Sequence, residues 1–210
     1  GHLAVYFQGR VGNRDVHKDL NEALEIAANA DTIVVALGEH MLQSGEASSR
    51  TDLTLNKIQI ELLEKLHELN KPIVCVMFNG RPLVLDNILD KIDGLVEAWF
   101  PGTEGALAIA DILFGDVNPS GKLSMSFPVN EGQIPVYYNG YKTGRPYVPG
   151  DLTKEVSKYN DVGNEPRYPF GYGLSYTDFE YSDIQLDTNV LNISKTIKAS
   201  ISIKNIGDRK

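Results

Sequence analysis

Three runs of apolar residues, continuous rather than alternating, most constrain the fold of this 210-residue chain. Strands that alternate apolar and polar residues leave one sheet face in water, whereas continuous β-branched runs are typical of strands covered on both faces. A helix-like pattern lies between the first two runs. The runs are TIVVAL (32–37), KPIVCVMF (71–78) and DGLVEAWF (93–100). They predict parallel strands joined by right-handed crossovers.

The segments around these runs carry apolar residues at helical spacing. Residues 15–30 predict an amphipathic helix capped by Asp15, and residues 55–69 predict a second one. Residues 82–92 are a shorter helix candidate, and residues 103–115 predict a helix that ends at Gly115. The apolar stripes are Val16, Leu20, Ala23, Leu24 and Ala27, then Leu55, Ile58, Leu62, Leu66 and Leu69. The predicted fold class is α/β, a three-layer α/β sandwich with a mostly parallel sheet.

The pattern changes in the second half of the chain. Residues 118–170 are rich in Pro and Tyr and predict a long loop, within which KLSMSFP (122–128) alternates like an edge or antiparallel strand. Residues 179–187 and 196–205 alternate with period two, as the strands of a β-sandwich do. We therefore predict an α/β domain over residues 1–177, with a Tyr/Pro-rich loop at 128–176, followed by the truncated start of a β-sandwich at 178–210.

Composition excludes some classes of function. The net charge of −8 and the lack of clustered Lys and Arg argue against a nucleic-acid partner. No uncharged run approaches the ~18 residues that span a bilayer. The single cysteine, Cys75, cannot form an internal disulfide and is expected in the core. Residues 1–9 partly resemble an expression-tag protease site, and the chain stops within a strand-like pattern, so we expect a fragment of a longer protein.

The loop GEHMLQSGEASSR (38–50) follows the first buried run and holds two carboxylates, Glu39 and Glu46. Ligands bind at the carboxyl ends of parallel strands, and a carboxylic acid in a substrate pocket can act as a general acid. Arg50 lies four residues after Glu46 and could orient a carboxylate. Residue pattern alone leaves open whether either glutamate is catalytic or merely solvated. It disfavours a metal site, because only one histidine is present, and a nucleophilic serine, because no GxSxG motif occurs.

Two other features allow a functional and a structural interpretation. PGTEGALAIA (101–110) places glycines at a helix start, but it matches no phosphate-binding fingerprint, and tight packing is the favoured interpretation. Trp99 could stack on a sugar ring, although a place in the core is favoured.

Several ordered motifs resemble the C-terminal half of family 3 glycoside hydrolases, particularly bacterial β-glucosidases. The resemblance covers nearly the whole chain from about Ala4. The motifs are GEHMLQSGEASSRTDLTL, KPIVCVMFNGRPLVL, VEAWFPGTEGALAIADILFGDVNPSGKLSMSFP, GQIPVYYN, TGRPY and YPFGYGLSYTDFEYS. It implies an N-terminal (β/α)8 barrel with an aspartate nucleophile, absent from this chain, then the α/β sandwich and a fibronectin-III-like domain.

The resemblance also ranks the loop residues. Glu46, within SGEASSR, matches the position of the general acid/base glutamate, whereas Glu39 is expected to shape the loop, with Arg50 and Gln43 as substrate-binding or supporting residues. No cofactor or metal is implied. The expected partners are a β-linked oligosaccharide or glucoside and the barrel of the same protein, without nucleic acid or a membrane span.

The implied activity is that of a retaining exo-β-glycosidase, a β-glucosidase in the first place, with the isolated fragment inactive. β-Xylosidase or another exo-glycosidase activity is an alternative within the family. A non-catalytic carbohydrate-binding or interaction domain and a nucleotide-binding α/β domain are alternatives of other classes. Cellular location stays open between periplasmic, extracellular and cytoplasmic.

Overall fold

The structure, a computed structural model, describes residues 3–7, 16–141, 143–150 and 155–209. The predicted helix cap Asp15 lies outside them. Chain contacts divide the molecule into two compact units, one of residues 1–106 and 123–172 and the other of residues 107–122 and 173–210. The predicted domain boundary at 177/178 stays a prediction.

The first unit is built on a parallel sheet. Its strands are β1 (Leu3–Phe7), β2 (Thr32–Gly38), β3 (Ile73–Phe78) and β4 (Gly94–Glu97), in the spatial order β1-β2-β3-β4 and all parallel. Helices α1 (Val16–Ala28) and α2 (Lys57–His67) connect the first three strands and contact each other, so both lie on one face of the sheet. These elements confirm the α/β class; the three-layer arrangement stays a prediction.

The core lies between this sheet face and the helices. Alternate residues of β2 and β3 point into it, among them Val35 and Met77, and Leu63 of α2 is fully buried there. Leu20, Ala23 and Ala27 confirm the stripe predicted for α1, and Leu62 and Leu66 confirm the stripe of α2. Cys75 is a free cysteine in the core, where burial and then the nearby Glu97 charge raise the pKa of its thiol to about 12.

Two predicted elements are shorter than expected. The candidate helix at 82–92 forms only a 3₁₀ turn at Leu89–Lys91. At its start the Val84 N–H donates to the distant Leu53 carbonyl (2.9 Å) instead of to a preceding helical turn. The third apolar run forms a strand only over Gly94–Glu97. It ends there because Trp99 has a left-handed backbone (φ 51°) and its N–H donates to the Glu97 side chain (2.9 Å).

The segment 122–128 forms no continuous strand. Leu123 and Phe127 each exchange backbone hydrogen bonds with residues 167–172, including Phe127 N–H to Tyr168 O at 2.8 Å. Between them the Phe170 N–H donates to the Ser126 hydroxyl (3.2 Å) instead of a carbonyl, so a side chain interrupts the ladder.

The second unit contains helix α3, which spans Gly105–Phe114 with its first two residues in the first unit. As predicted, α3 ends at Gly115, which has a left-handed backbone (φ 76°). The period-two segments form two antiparallel pairs: β5 (Phe179–Tyr181) with β8 (Ile203–Asn205), and β6 (Gln185–Leu186) with β7 (Ala199–Ser200). Across the described residues, no helix is long and apolar enough to cross a membrane.

Candidate active-site loop

The loop after β2 lies at the carboxyl edge of the parallel sheet. Backbone bonds hold the three strand ends together at this edge: Glu39 N–H donates to Phe78 O (2.8 Å), and Ala98 N–H donates to Met77 O (2.9 Å). Ligands bind at this edge in open α/β sheets. The structure therefore places the predicted loop where a binding site is expected.

A 3₁₀ turn at Met41–Gln43 opens the loop and is capped from both sides. The Gln43 side-chain oxygen accepts the His40 N–H (2.8 Å), and the His40 ring nitrogen Nδ1 accepts the Leu42 N–H (3.2 Å). The Gln43 side chain is therefore used to shape the loop.

Glu39 is the buried charge of this edge, with a side chain only 1% exposed. Arg50 Nη1 lies 2.9 Å from Glu39 Oε1, and Arg81 Nε lies 3.0 Å from the same oxygen. The Gly80 N–H donates to Oε2 at 3.2 Å. A buried carboxylate with two cations and a backbone donor is satisfied internally, as such groups must be.

Both arginines also bind backbone carbonyls. Arg50 Nη2 donates to Thr54 O (3.1 Å), four residues beyond the end of the loop. Arg81 Nη2 donates to Gln43 O (2.5 Å) and to Ser48 O (2.8 Å). Arg50 thus contacts Glu39 and the backbone that follows the loop, and within the described residues no ion pair joins it to Glu46.

Glu46 differs from Glu39 in both burial and partners. Its side chain is exposed, and its carboxylate makes no hydrogen bond or ion pair with any described part of the chain. Its neighbours Gly45 (φ 108°) and Ala47 (φ 58°) both have positive φ, which turns the backbone sharply on either side of it. Glu46 is therefore a carboxylate free to meet a group from outside this chain.

Sequence reasoning missed a second carboxylate at this edge, the partly buried Glu97 at the end of β4. Burial raises the pKa of Glu97 to about 7, against the lowering effect of hydrogen bonds from the Trp99 N–H (2.9 Å) and Asn79 Nδ2 (3.3 Å). The Asn79 Oδ1 atom is buried without a partner. Trp99 packs against the core, with its ring 5.7 Å from Phe127.

Arg81 was also missed, since its only sequence signal is its place in FNGRP directly after a buried run. Among the described residues, no group of three or more His, Cys, Asp or Glu side chains is placed to hold a metal ion.

Residues 6–176 match the model of the glycosyl hydrolase family 3 C-terminal domain. The chain is 46% identical over 201 residues to a periplasmic β-glucosidase of Salmonella typhimurium, covering 96% of this chain and 26% of that protein. It is 39% identical over 186 residues to a β-xylosidase of Formosa agariphila, covering 89% and 25%.

Solved structures give the same relationship. The crystal structure of a β-glucosidase from Listeria innocua superimposes with a TM-score of 0.86 at 43% identity, over 95% of this chain and 27% of that one. The chain thus spans about a quarter of the length of these relatives. The resemblance noted in the sequence is confirmed, and this chain belongs to glycosyl hydrolase family 3, of which it carries the C-terminal domain.

Proposed function

We propose that this chain is the acid/base-donating part of a retaining exo-β-glycosidase, specifically a β-glucosidase, and that Glu46 is the proton donor. One contrast carries the proposal. Of the two carboxylates in the loop, Glu39 is buried against two arginines, whereas Glu46 is exposed at the sheet edge where ligands bind. The β-glucosidase names of the Salmonella and Listeria relatives supply the substrate class.

The chemistry needs Glu46 in two protonation states. As a carboxylic acid it gives its proton to the glycosidic oxygen while the second carboxylate attacks the anomeric carbon. As a carboxylate it then takes a proton from the water that hydrolyses the glycosyl-enzyme. A donor acid needs surroundings that keep it protonated, and because this chain leaves Glu46 exposed, we assign those surroundings to the substrate pocket of the assembled protein.

The second carboxylate must lie about 5–5.5 Å from the first in a retaining enzyme. Glu39 is unsuited to attack an anomeric carbon, since both of its oxygens already accept hydrogen bonds from Arg81, Arg50 or Gly80. The family resemblance implies that the nucleophile is an aspartate on a (β/α)8 barrel of the same protein, and we place it there. Residues 178–210 would begin its fibronectin-III-like domain. The isolated chain should then not hydrolyse an aryl β-glucoside, and measurable turnover by it would contradict this assignment.

The sugar preference has a second candidate within the family. The 39% identity to a protein named β-xylosidase supports xylosides as alternative substrates. Comparing kcat/KM for 4-nitrophenyl β-glucoside and β-xyloside in the intact protein decides between them, and a preference for the xyloside would replace the glucosidase assignment.

The role of Glu46 is tested with Glu46→Gln in the intact protein, using two glucosides that differ in leaving group. Phenyl β-glucoside needs protonation of the departing oxygen, and 2,4-dinitrophenyl β-glucoside does not. General acid catalysis contributes about 10²–10⁴-fold, so kcat/KM for the phenyl glucoside should fall by that factor while the dinitrophenyl value changes little.

Glu61→Gln is the matched control, because Glu61 is half exposed on α2 and pairs only loosely with Lys65 (3.9 Å). It should leave both substrates unaffected. Equal loss on both glucosides in Glu46→Gln would show that Glu46 is not the acid. Binding of glucose with unchanged turnover in that variant would favour a non-catalytic binding domain.

A further inference from the structure

We propose that Arg81 is a positioning residue for Glu46, holding the segment 44–47 in place from the neighbouring strand. The inference rests on the proposed role of Glu46. Arg81 follows β3, 35 positions after Glu46, and its hydrogen bonds go to Glu39, Gln43 O and Ser48 O rather than to the Glu46 side chain. It acts on the backbone that carries the glutamate.

The guanidinium of Arg81 binds the backbone on both sides of the segment 44–47. Nη2 donates to Gln43 O at 2.5 Å and to Ser48 O at 2.8 Å, which are the carbonyls immediately before and after the segment 44–47. One nitrogen therefore fixes the separation of the two ends of the segment. Hydrogen bonds from a charged donor are stronger than neutral ones.

The guanidinium itself is anchored on the buried charge. Arg81 Nε lies 3.0 Å from Glu39 Oε1, and Arg50 and the Gly80 N–H hold the same carboxylate. Gly80 also lets the segment pack closely, because a Cβ at Gly80 would lie 1.9 Å from Ser44 Oγ. The segment 44–47 thus packs against the residues that follow β3, and the hydrogen bonds from Arg81 hold it there.

The other hydrogen bonds of the segment are neutral and long. The Ser48 N–H donates to Gly45 O at 3.3 Å, and the Ser48 hydroxyl lies 3.4 Å from Leu42 O and Glu46 O. Gly45 and Ala47 hold positive φ values, which favour glycine and cost a residue such as alanine conformational energy. Without Arg81 the segment would be free to relax, and the Glu46 carboxylate would move with it.

Displacement of a proton donor slows only a step that uses the proton. We therefore expect Arg81→Met in the intact protein to reduce kcat/KM for phenyl β-glucoside by roughly 10²-fold, the loss typical of about 1 Å of misplacement, with little change for 2,4-dinitrophenyl β-glucoside. Arg81→Lys should show a smaller loss of the same kind, because one ammonium cannot reproduce the planar fork. A merely structural role would lower both substrates equally.

Arg167→Met is the matched control, since Arg167 pairs with Asp86 through its Nε (2.6 Å) and not with the loop. It should leave both rates unchanged. Glu46→Gln is measured alongside as the reference. A leaving-group-dependent loss in Glu46→Gln without one in Arg81→Met overturns the role of Arg81 alone.

If the loss of kcat/KM in Glu46→Gln does not depend on the leaving group, both the proposed function and this inference are overturned. If Arg81→Met does not fold, as judged by the circular dichroism of the intact protein, Arg81→Lys decides. Wild-type activity of Arg81→Lys on the phenyl glucoside would then overturn the inference.

Discussion

Replacing Glu39 by glutamine removes one negative charge from the buried ion-pair network and should destabilise the first unit. The Glu39 side chain is 1% exposed, while those of Arg50 and Arg81 are 21% and 20% exposed. Breaking a fully buried pair costs about 3–5 kcal/mol. Because both arginines can turn partly to water, we expect about 2–4 kcal/mol, which corresponds to the loss of one or two charge-assisted hydrogen bonds.

Urea unfolding followed by tryptophan fluorescence measures this loss. Trp99 is the only tryptophan in the chain and packs against the core of the first unit, so its signal reports that unit. Glu61→Gln makes the same chemical change at a half-exposed pair and should cost less than about 0.5 kcal/mol. Equal midpoints for Glu39→Gln and the wild type would refute the claim that this carboxylate organises the sheet edge.

Three further predictions concern stability and use the same fluorescence signal. Gly38→Ala should lower the free energy of unfolding by about 2–4 kcal/mol, because the φ of 141° strains an alanine and the new Cβ would lie 1.9 Å from Phe78 O. Gly144→Ala, which has open space around the new Cβ, should leave the free energy of unfolding unchanged. Leu63→Ala should cost about 2–5 kcal/mol, because Leu63 is fully buried and leaves a cavity; a loss under 1 kcal/mol would contradict its core position. Burial raises the folded-state pKa of Glu97 from its ordinary value of 4.5 to about 7. Its contribution to stability is therefore complete below pH 4.5 and is lost as pH rises through 7. Glu97→Gln should therefore gain about 2–3 kcal/mol relative to the wild type between pH 5 and pH 8, and a pH-independent difference would contradict it.

The parts of the fold that the sequence predicted are those determined by local pattern. The continuous runs at 32–37 and 71–78 became buried strands, and the stripes of α1 and α2 became buried faces, since period and burial are coupled within one element. The segment 82–92 was misassigned because Leu83, Leu85 and Ile88 are buried by contacts with distant chain rather than along a helical face.

The candidate site was predictable only in part. The position of the loop followed from the end of the run 32–37, and the family resemblance distinguished Glu46 from Glu39. Residue pattern could not find Arg81, because its partners Gln43 and Ser48 lie more than thirty positions away and meet it only through strand pairing. Glu97 stayed hidden for the same reason, since its burial depends on the neighbouring strand β3.

The most direct test of the central claim is azide rescue of Glu46→Ala in the intact protein. With 2,4-dinitrophenyl β-glucoside the first step needs no proton, so the variant should accumulate its glycosyl-enzyme and turn over slowly for lack of a base. Azide needs no base to attack. The account predicts faster turnover with added azide and a β-glucosyl azide product. Glucose as the only product, at a rate independent of azide, would contradict the assignment of Glu46 as the acid/base.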